Sequence, residues 1–226
     1  MKLADLESIQ KRLDKKNKKN SSENEINILE TALNCINKDI NIEETLHKNY
    51  SKKNLHQVSL LSTKPKLYVC NVDEKSISGG NKYTEFFINK FGLKNTILIS
   101  ADIENQINQL DIKEKGNYMK MINLKETGLN ILIKKGYEIL ELETFFTSGP
   151  EESRAWTIPT NSKAPNAAGT IHTDFKKGFI RAETVSYDEF VKNNGWLNSK
   201  NNGKMRLEGK DYVVKDGDVL NFRFNT

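Results

Sequence analysis

Leu3, Leu6, Ile9 and Leu13 recur at spacings of three and four among charged residues, which predicts a helix over 2–18 with one narrow apolar face. Ser22-Glu23-Asn24-Glu25 reads as a capping box. The Ser22 hydroxyl accepts from the Glu25 amide, and the Glu25 side chain reaches back. The helix that follows carries Ile26, Leu29, Leu33 and Ile36. Two narrow stripes joined by a short polar turn predict an antiparallel coiled-coil hairpin. Residues 41–64 are polar apart from an apolar patch at 55–61, and Pro65 stops any helix.

Beyond Pro65 the pattern changes. Residues 66–70 form a short apolar run that predicts a strand, and Asn71 begins a loop. Tyr83, Phe86, Phe87 and Phe91 predict the apolar face of a helix closed by Gly92. Residues 96–100 predict a second buried strand, and Ile103, Ile107 and Leu110 one side of a helix over 102–110. Strand, helix, strand, helix is the order of a parallel α/β sheet. Two strands alone cannot bury both faces of such a sheet. Residues 111–140 continue helically, with breaks expected near Gly116, Gly128 and Gly136. The remainder is β-rich: LETFFTS, RAWTIP, FIRAETVS, DYVVKD and DVLNFRF, with helices over 164–173 and 187–193. That order predicts a small α+β domain of β-grasp arrangement. The expected fold class is thus α/β plus α+β: a helical hairpin over 1–64, a partial α/β sheet over 65–141 and a β-grasp domain over 142–226.

Composition adjusts this picture modestly. The chain is 36% hydrophobic and 29% charged, polar enough that part of it should be extended and solvated. A formal charge of +5 is compatible with a nucleic-acid partner. The expected hairpin tip is basic, with Lys11, Arg12, Lys15, Lys16, Lys18 and Lys19; such a tip is either a solvated face or a contact to RNA phosphates. Cys35 and Cys70 lack metal-ligand spacing and point to a reducing compartment. No stretch is apolar enough to span a bilayer, and the N-terminal segment has no signal-peptide core, so a cytoplasmic location with no membrane partner is expected. His172-Thr173-Asp174 has no nucleophile beside it; an imidazole there suits the end of a helix. His47 and His56 are expected at the surface.

One motif carries candidate chemistry. The apolar run LYVC ends in Asn71-Val72-Asp73-Glu74, the place where a GTPase-type nucleotide-binding sheet presents its base reader. The common guanine reader is N-K-x-D, whose Asp accepts from two ring donors. Here the acid is Glu74, and a carboxylate displaced by about 1.5 Å cannot keep that fork. Guanine preference should weaken, whereas adenine has no such donor pair to lose. Ser100-Ala101, at the end of the second strand, fits the loop whose backbone covers the base. The alternative is that Asn71 and Asp73 simply cap a strand-to-helix turn. No phosphate-binding G-x-x-x-x-G-K-[ST] occurs in the 226 residues.

Taken together, ADLESIQKRLDK, KPKLYVCNVDE, LISADIENQINQLD, the long run from Gly128 through RAWTIPTNSKAPNAAGTIHTDFKKGFIRAE to Phe190, and GKMRLEGKDYVVKDGDVLNFRFN resemble the YchF subfamily of Obg-like ATPases. The resemblance spans most of the chain and is weakest over 17–60. It implies a P-loop G domain interrupted by a coiled-coil hairpin and followed by a TGS domain of β-grasp type. It assigns Asn71, Val72 and Glu74 to an adenine site, with Ser100 and Ala101 as the base-covering loop. ATP and Mg2+ are the implied ligands. In that family the phosphate loop and switch regions precede the helical insertion, where this chain begins, so no catalytic or metal residue is expected here. The chain then looks like a C-terminal part, truncated or split at the gene level, and by itself is not expected to bind or hydrolyse ATP.

The implied partners are the ribosome and its RNA, through the TGS domain and the basic tip, and a separate N-terminal G-domain chain. Arg154, Lys163, Lys176, Lys177, Arg181, Lys204, Arg206, Lys210 and Arg223, with Trp156, Phe175, Phe179 and Trp196 among them, suit phosphates and bases, unless the aromatics are core. Lys176-Lys177-Gly178 reads as a turn. The alternatives to an ATPase part are a stand-alone RNA- or ribosome-binding module without hydrolysis, and a decayed remnant exposing an apolar sheet edge.

Overall fold

A computed structural model of the chain describes residues 1–15 and 22–225, with backbone only for Lys15. Lys16, Lys18 and Lys19 of the expected basic tip, and the side chain of Lys15, lie outside the described residues. The chain divides into two compact units, Met1–Lys66 and Leu67–Thr226.

The first unit contains helices α1 (Lys2–Lys15), α2 (Glu23–Asn37), α3 (Ile42–Asn49) and α4 (Lys52–Val58). Ion pairs Lys2–Asp39 and Arg12–Glu25 fix α1 and α2 as antiparallel. The Ser22 half of the capping box forms, its hydroxyl accepting from the Glu25 amide at 3.3 Å. Its other half does not, because the Glu25 carboxylate is taken by Arg12. The apolar stripes are also broader than expected. Ile28, Leu29, Ala32 and Cys35 of α2 are buried in one cluster with Ile9, Ile42, Leu46, Leu55, Val58 and Leu60, while Leu3 is 82% exposed. Residues 41–64, read as mostly polar, thus supply half of this core. Their helices are short, capped by Asn41 and Ser51, and bury two residues each, too few to register as a period. Asp5 is 2% exposed and accepts from the amides of Leu61 and Ser62, at 2.8 Å each, and from the Ser62 hydroxyl at 2.5 Å, tying the last turn of this unit to α1.

The second unit starts with a two-stranded parallel sheet, β1 (Tyr68–Asn71) and β2 (Thr96–Ile99), joined through α5 (Lys82–Phe91). Phe87 and Phe91 pack on Tyr68 at 5.2 and 4.5 Å between ring centres. Tyr83 and Phe86, expected on the same buried face, are 73% and 68% exposed. A helix on a two-stranded sheet buries a narrower arc than the four rings subtend. After β2 come α6 (Ala101–Gln109), α7 (Ile112–Met121) and α8 (Gly128–Ile139). Gly116 and Gly136 lie inside α7 and α8 rather than breaking them, whereas Gly128 starts a helix.

Residues 142–225 contain a five-stranded mixed sheet. Its strands are β3 (Leu142–Ser148), β4 (Ser153–Pro159), β5 (Phe179–Ser186), β6 (Arg206–Glu208) and β7 (Asp218–Phe224), in the order β4-β3-β7-β5-β6. β3 and β7 are parallel, and the other neighbours are antiparallel. Helices α9 (Ala164–Ile171), α10 (Thr173–Lys177), α11 (Tyr187–Lys192) and α12 (Trp196–Asn201) complete it. Ala164, Ala167 and Ala168 of α9 are small enough to lie flat over Phe145, Ile158, Ala182 and Phe222 of the sheet, and all are buried. The expected strand DYVVKD is instead a loop with a single bridge, Val213 to Lys163, and the short β6 precedes it.

Candidate functional site

The ends of β1 and β2 lie side by side, Asn71 opposite Ile99. The Val72 amide continues the ladder one step, donating to the Ile99 carbonyl at 2.8 Å. The chain then leaves both strands at one edge, where the loop after each begins. Across that edge the Asn71 side-chain oxygen accepts from the Ala101 amide at 3.0 Å. The two segments singled out in the sequence, Asn71–Glu74 and Ser100–Ala101, are therefore joined directly.

Each residue of the pair of loops has a definable role. Ser100 is 1% exposed and caps α6, its hydroxyl accepting from the Ile103 amide at 3.5 Å. Its side chain is thus committed inward, and Ala101 presents an exposed methyl at the first position of α6. Val72 is 8% exposed and faces the interior, so its side chain is not at the surface where a base would lie. Asp73 caps a 3-10 turn over Glu74–Ser76, accepting from the Ser76 amide at 2.9 Å. The Ser76 hydroxyl and amide hold the Asp73 carboxyl below its ordinary range. Glu74 remains an exposed carboxylate. What the edge offers chemically is the Asn71 amide nitrogen, a donor left over once the oxygen is spent, and the Glu74 carboxylate, an acceptor. The sequence reading missed the Asn71 oxygen's engagement with the Ala101 amide, because a contact across 30 residues leaves no local pattern.

The floor under this edge is tight. Gly128 opens α8 against β2, its amide donating to Glu104 at 2.6 Å. A Cβ at Gly128 would stand 3.0 Å from the Glu104 carboxylate and 3.0 and 3.1 Å from Ile99 carbons.

In residues 142–225 the aromatics are mainly structural. Phe179 is buried, Phe175 stacks on Phe224 at 3.9 Å, and Trp156 and Trp196 donate to the Thr147 hydroxyl and the Ser148 carbonyl at 2.9 and 2.8 Å. Arg154 lies 4.7 Å over the Trp156 ring. Several of the cations are already matched by acids: Lys163 with Asp211, Lys204 with Glu189, Arg206 with Glu208 and Asp218, and Arg223 with Glu183. Lys176 and Lys177 sit on α10, not in a turn. His172 starts that helix, its Nδ1 accepting from the Asp174 amide at 3.2 Å, instead of bonding the carbonyls of α9.

Comparison with known proteins bears on the whole chain. A family model named YchF-GTPase_C, described as a protein of unknown function (DUF933), matches residues 142–225. The ribosome-binding ATPase YchF of Escherichia coli O157:H7 is 45% identical over 176 residues, 77% of this chain and 48% of that protein. Its namesake in Bacillus subtilis is 39% identical over 99% of this chain and 63% of that protein. The structure of the Schizosaccharomyces pombe YchF GTPase superposes with a TM-score of 0.76 at 27% identity, covering 98% of this chain and 63% of that one. The chain thus spans less than two thirds of the length of these relatives.

Proposed function

The chain belongs to the YchF family, and we propose that it is the C-terminal part of a ribosome-associated, adenine-preferring P-loop ATPase. In this reading residues 1–64 are the helical insertion, 65–141 the closing portion of a G domain and 142–226 a TGS domain, and the protein works in the cytoplasm. Parallel first and last strands at the centre of the five-stranded sheet, with α9 packed across it, favour the β-grasp assignment. No described helix is long and apolar enough to cross a membrane.

The observation that carries the nucleotide reading is the bond from the Ala101 amide to Asn71, which locks two strand-end loops into one edge. The donor set of these residues suits the adenine end of a nucleotide: the Asn71 amide nitrogen would donate to a ring nitrogen, and the Glu74 carboxylate would accept from the exocyclic amine. The triphosphate end does not fit. The 226 residues hold no phosphate loop, and no group of three or more His, Cys, Asp or Glu among the described residues could hold a metal ion. Phosphates and Mg2+ carry most of the binding and nearly all the catalytic electrostatics of phosphoryl transfer. Hydrolysis therefore requires a phosphate loop that lies outside these 226 residues.

What the chain does unaided is dock. The domain over 142–225 has its own core, and the relatives named above are called ribosome-binding. That core also favours the second reading, a module that binds ribosomes without any hydrolysis. Sedimentation with ribosomes across a KCl series tests docking. The chain should pellet at 50 mM KCl, a concentration of about that order exposing phosphate contacts, and be released as salt rises. Failure to pellet at low salt would refute it.

A further inference from the structure

Where α9 meets α10 the surface sinks into a hollow of about 710 Å³ lined by Asn166, Gly169, Thr170, Thr173, Lys176 and Lys177. The lining comprises two ammonium groups, two hydroxyls, an amide and a glycine, with no carboxylate among them. Phosphate oxygens are acceptors only; the two lysines, the Asn166 amide and the Thr173 hydroxyl can donate to them, whereas the Thr170 hydroxyl donates to the Asn166 carbonyl at 3.4 Å.

The stem of Lys176 is held, and among the described residues neither lysine has a close carboxylate partner. The stem of Lys176 crosses Gly169 so closely that an added Cβ would stand 3.1 Å from both its Cβ and its Cδ. A side chain at position 169 would make the lysine shift by a few tenths of an ångström. Some cations elsewhere in this domain are tied to carboxylates, as Lys163 is to Asp211 at 2.7 Å and Arg223 to Glu183 at 3.1 Å. Lys177 has only Asp174, at 3.9 Å, with both side chains mostly exposed, a pair that contributes little.

We propose that this hollow seats a backbone phosphate of RNA. The inference rests on the reading of residues 142–226 as the ribosome-contacting domain and names where that contact is made. His172 favours RNA over an acidic peptide. It lies between Thr170 and Thr173 in the chain and presents an exposed ring, 6.0 Å from Phe175, on which a base beside the bound phosphate can stack.

The test is fluorescence anisotropy of the whole chain with a labelled 20-nucleotide single-stranded RNA over a KCl series. The double variant Lys176→Ala/Lys177→Ala should bind about tenfold more weakly, with a slope of log affinity against log salt shallower by about 0.7, one phosphate contact's worth. Lys90→Ala, which removes a cation on α5 outside this domain, should stay within about twofold of the original protein. A double variant with unchanged affinity and slope overturns the inference while ribosome pelleting leaves the docking reading standing. No RNA binding by the original protein overturns the inference as well, and pelleting then decides the docking reading by itself. A 20-residue poly-glutamate peptide that competes as well as unlabelled RNA overturns it in favour of an acidic protein partner.

Discussion

Helix α8 contains two glycines for which replacement by alanine should have opposite effects. Gly136 lies inside the helix, and a Cβ there meets nothing within 4 Å. Gly136→Ala should therefore stabilise the chain by the ordinary helix gain, roughly 0.5–1 kcal/mol. Gly128 lies at the first helical position, where a Cβ would press on two Ile99 carbons and on Glu104 at 3.0–3.1 Å. Overpacking of that kind costs about 1–3 kcal/mol. Displacing Glu104 also weakens its bond to the Gly128 amide, and a hydrogen bond to a charged group is worth about 1.5–3 kcal/mol. The helix gain cannot offset both, so Gly128→Ala should destabilise by about 1–3 kcal/mol. Urea unfolding followed by far-ultraviolet circular dichroism measures both variants on the full chain. A Gly128→Ala protein as stable as the original would refute the reasoning. It would mean that the end of β2 yields easily, and that the loop carrying Ser100 and Ala101 is not held from below.

Three further changes test other links. Asn71→Ala removes the acceptor for the Ala101 amide; a bond worth about 1 kcal/mol predicts roughly fivefold faster hydrogen exchange there, and unchanged exchange would show the latch to be idle. Asp5→Asn leaves one acceptor oxygen where two served three donors, so the helical unit should lose about 2–3 kcal/mol in urea unfolding, and a loss near zero would refute the role assigned to Asp5. Burial, and then the Asp216 and Asp218 carboxylates, raise the carboxyl of Glu143 above its usual range, and its Oε2 is buried without a partner. The folded chain thus holds this proton more tightly than the unfolded chain. Ionisation costs stability as pH rises through the raised value, and costs nothing below the ordinary carboxylate range. Glu143→Gln should raise the urea midpoint at pH 8 and leave it unchanged at pH 4; an equal effect at both would remove the electrostatic explanation.

Much of the backbone plan was legible where local pattern and burial coincide. The parallel pairing of β1 with β2, the helix that buries Ile103 and Ile107, and the strands LETFFTS and DVLNFRF all stand where the sequence shows apolar runs or an apolar face. Reading failed where one residue serves two neighbours or none. Ile28 and Cys35 are buried because α2 meets more than one helix, so a single narrow stripe misplaced the core. Hydrophobicity alone places Tyr83 and Phe86 inward, yet no described neighbour covers most of their surface. Gly116 and Gly136 suggest breaks, but a single glycine costs a helix only about 1 kcal/mol and interior hydrogen bonds outweigh it. At the candidate site the sequence placed Asn71 beside Ser100 and Ala101. It could not reveal that Val72 turns inward or that the Asn71 oxygen is taken, since both depend on how two loops 30 residues apart meet.

A base-reading edge without a grip on the triphosphate is most directly examined by calorimetry. ATP and GTP would be titrated into the chain alone, and into an equimolar mixture with a polypeptide carrying a phosphate loop and switch segments. No binding heat is expected from the chain alone, because a base contact by itself supplies only a few kcal/mol. The mixture should bind ATP in preference to GTP. Micromolar affinity of the isolated chain for ATP, or a mixture that prefers GTP, would contradict the assignment of Asn71 and Glu74.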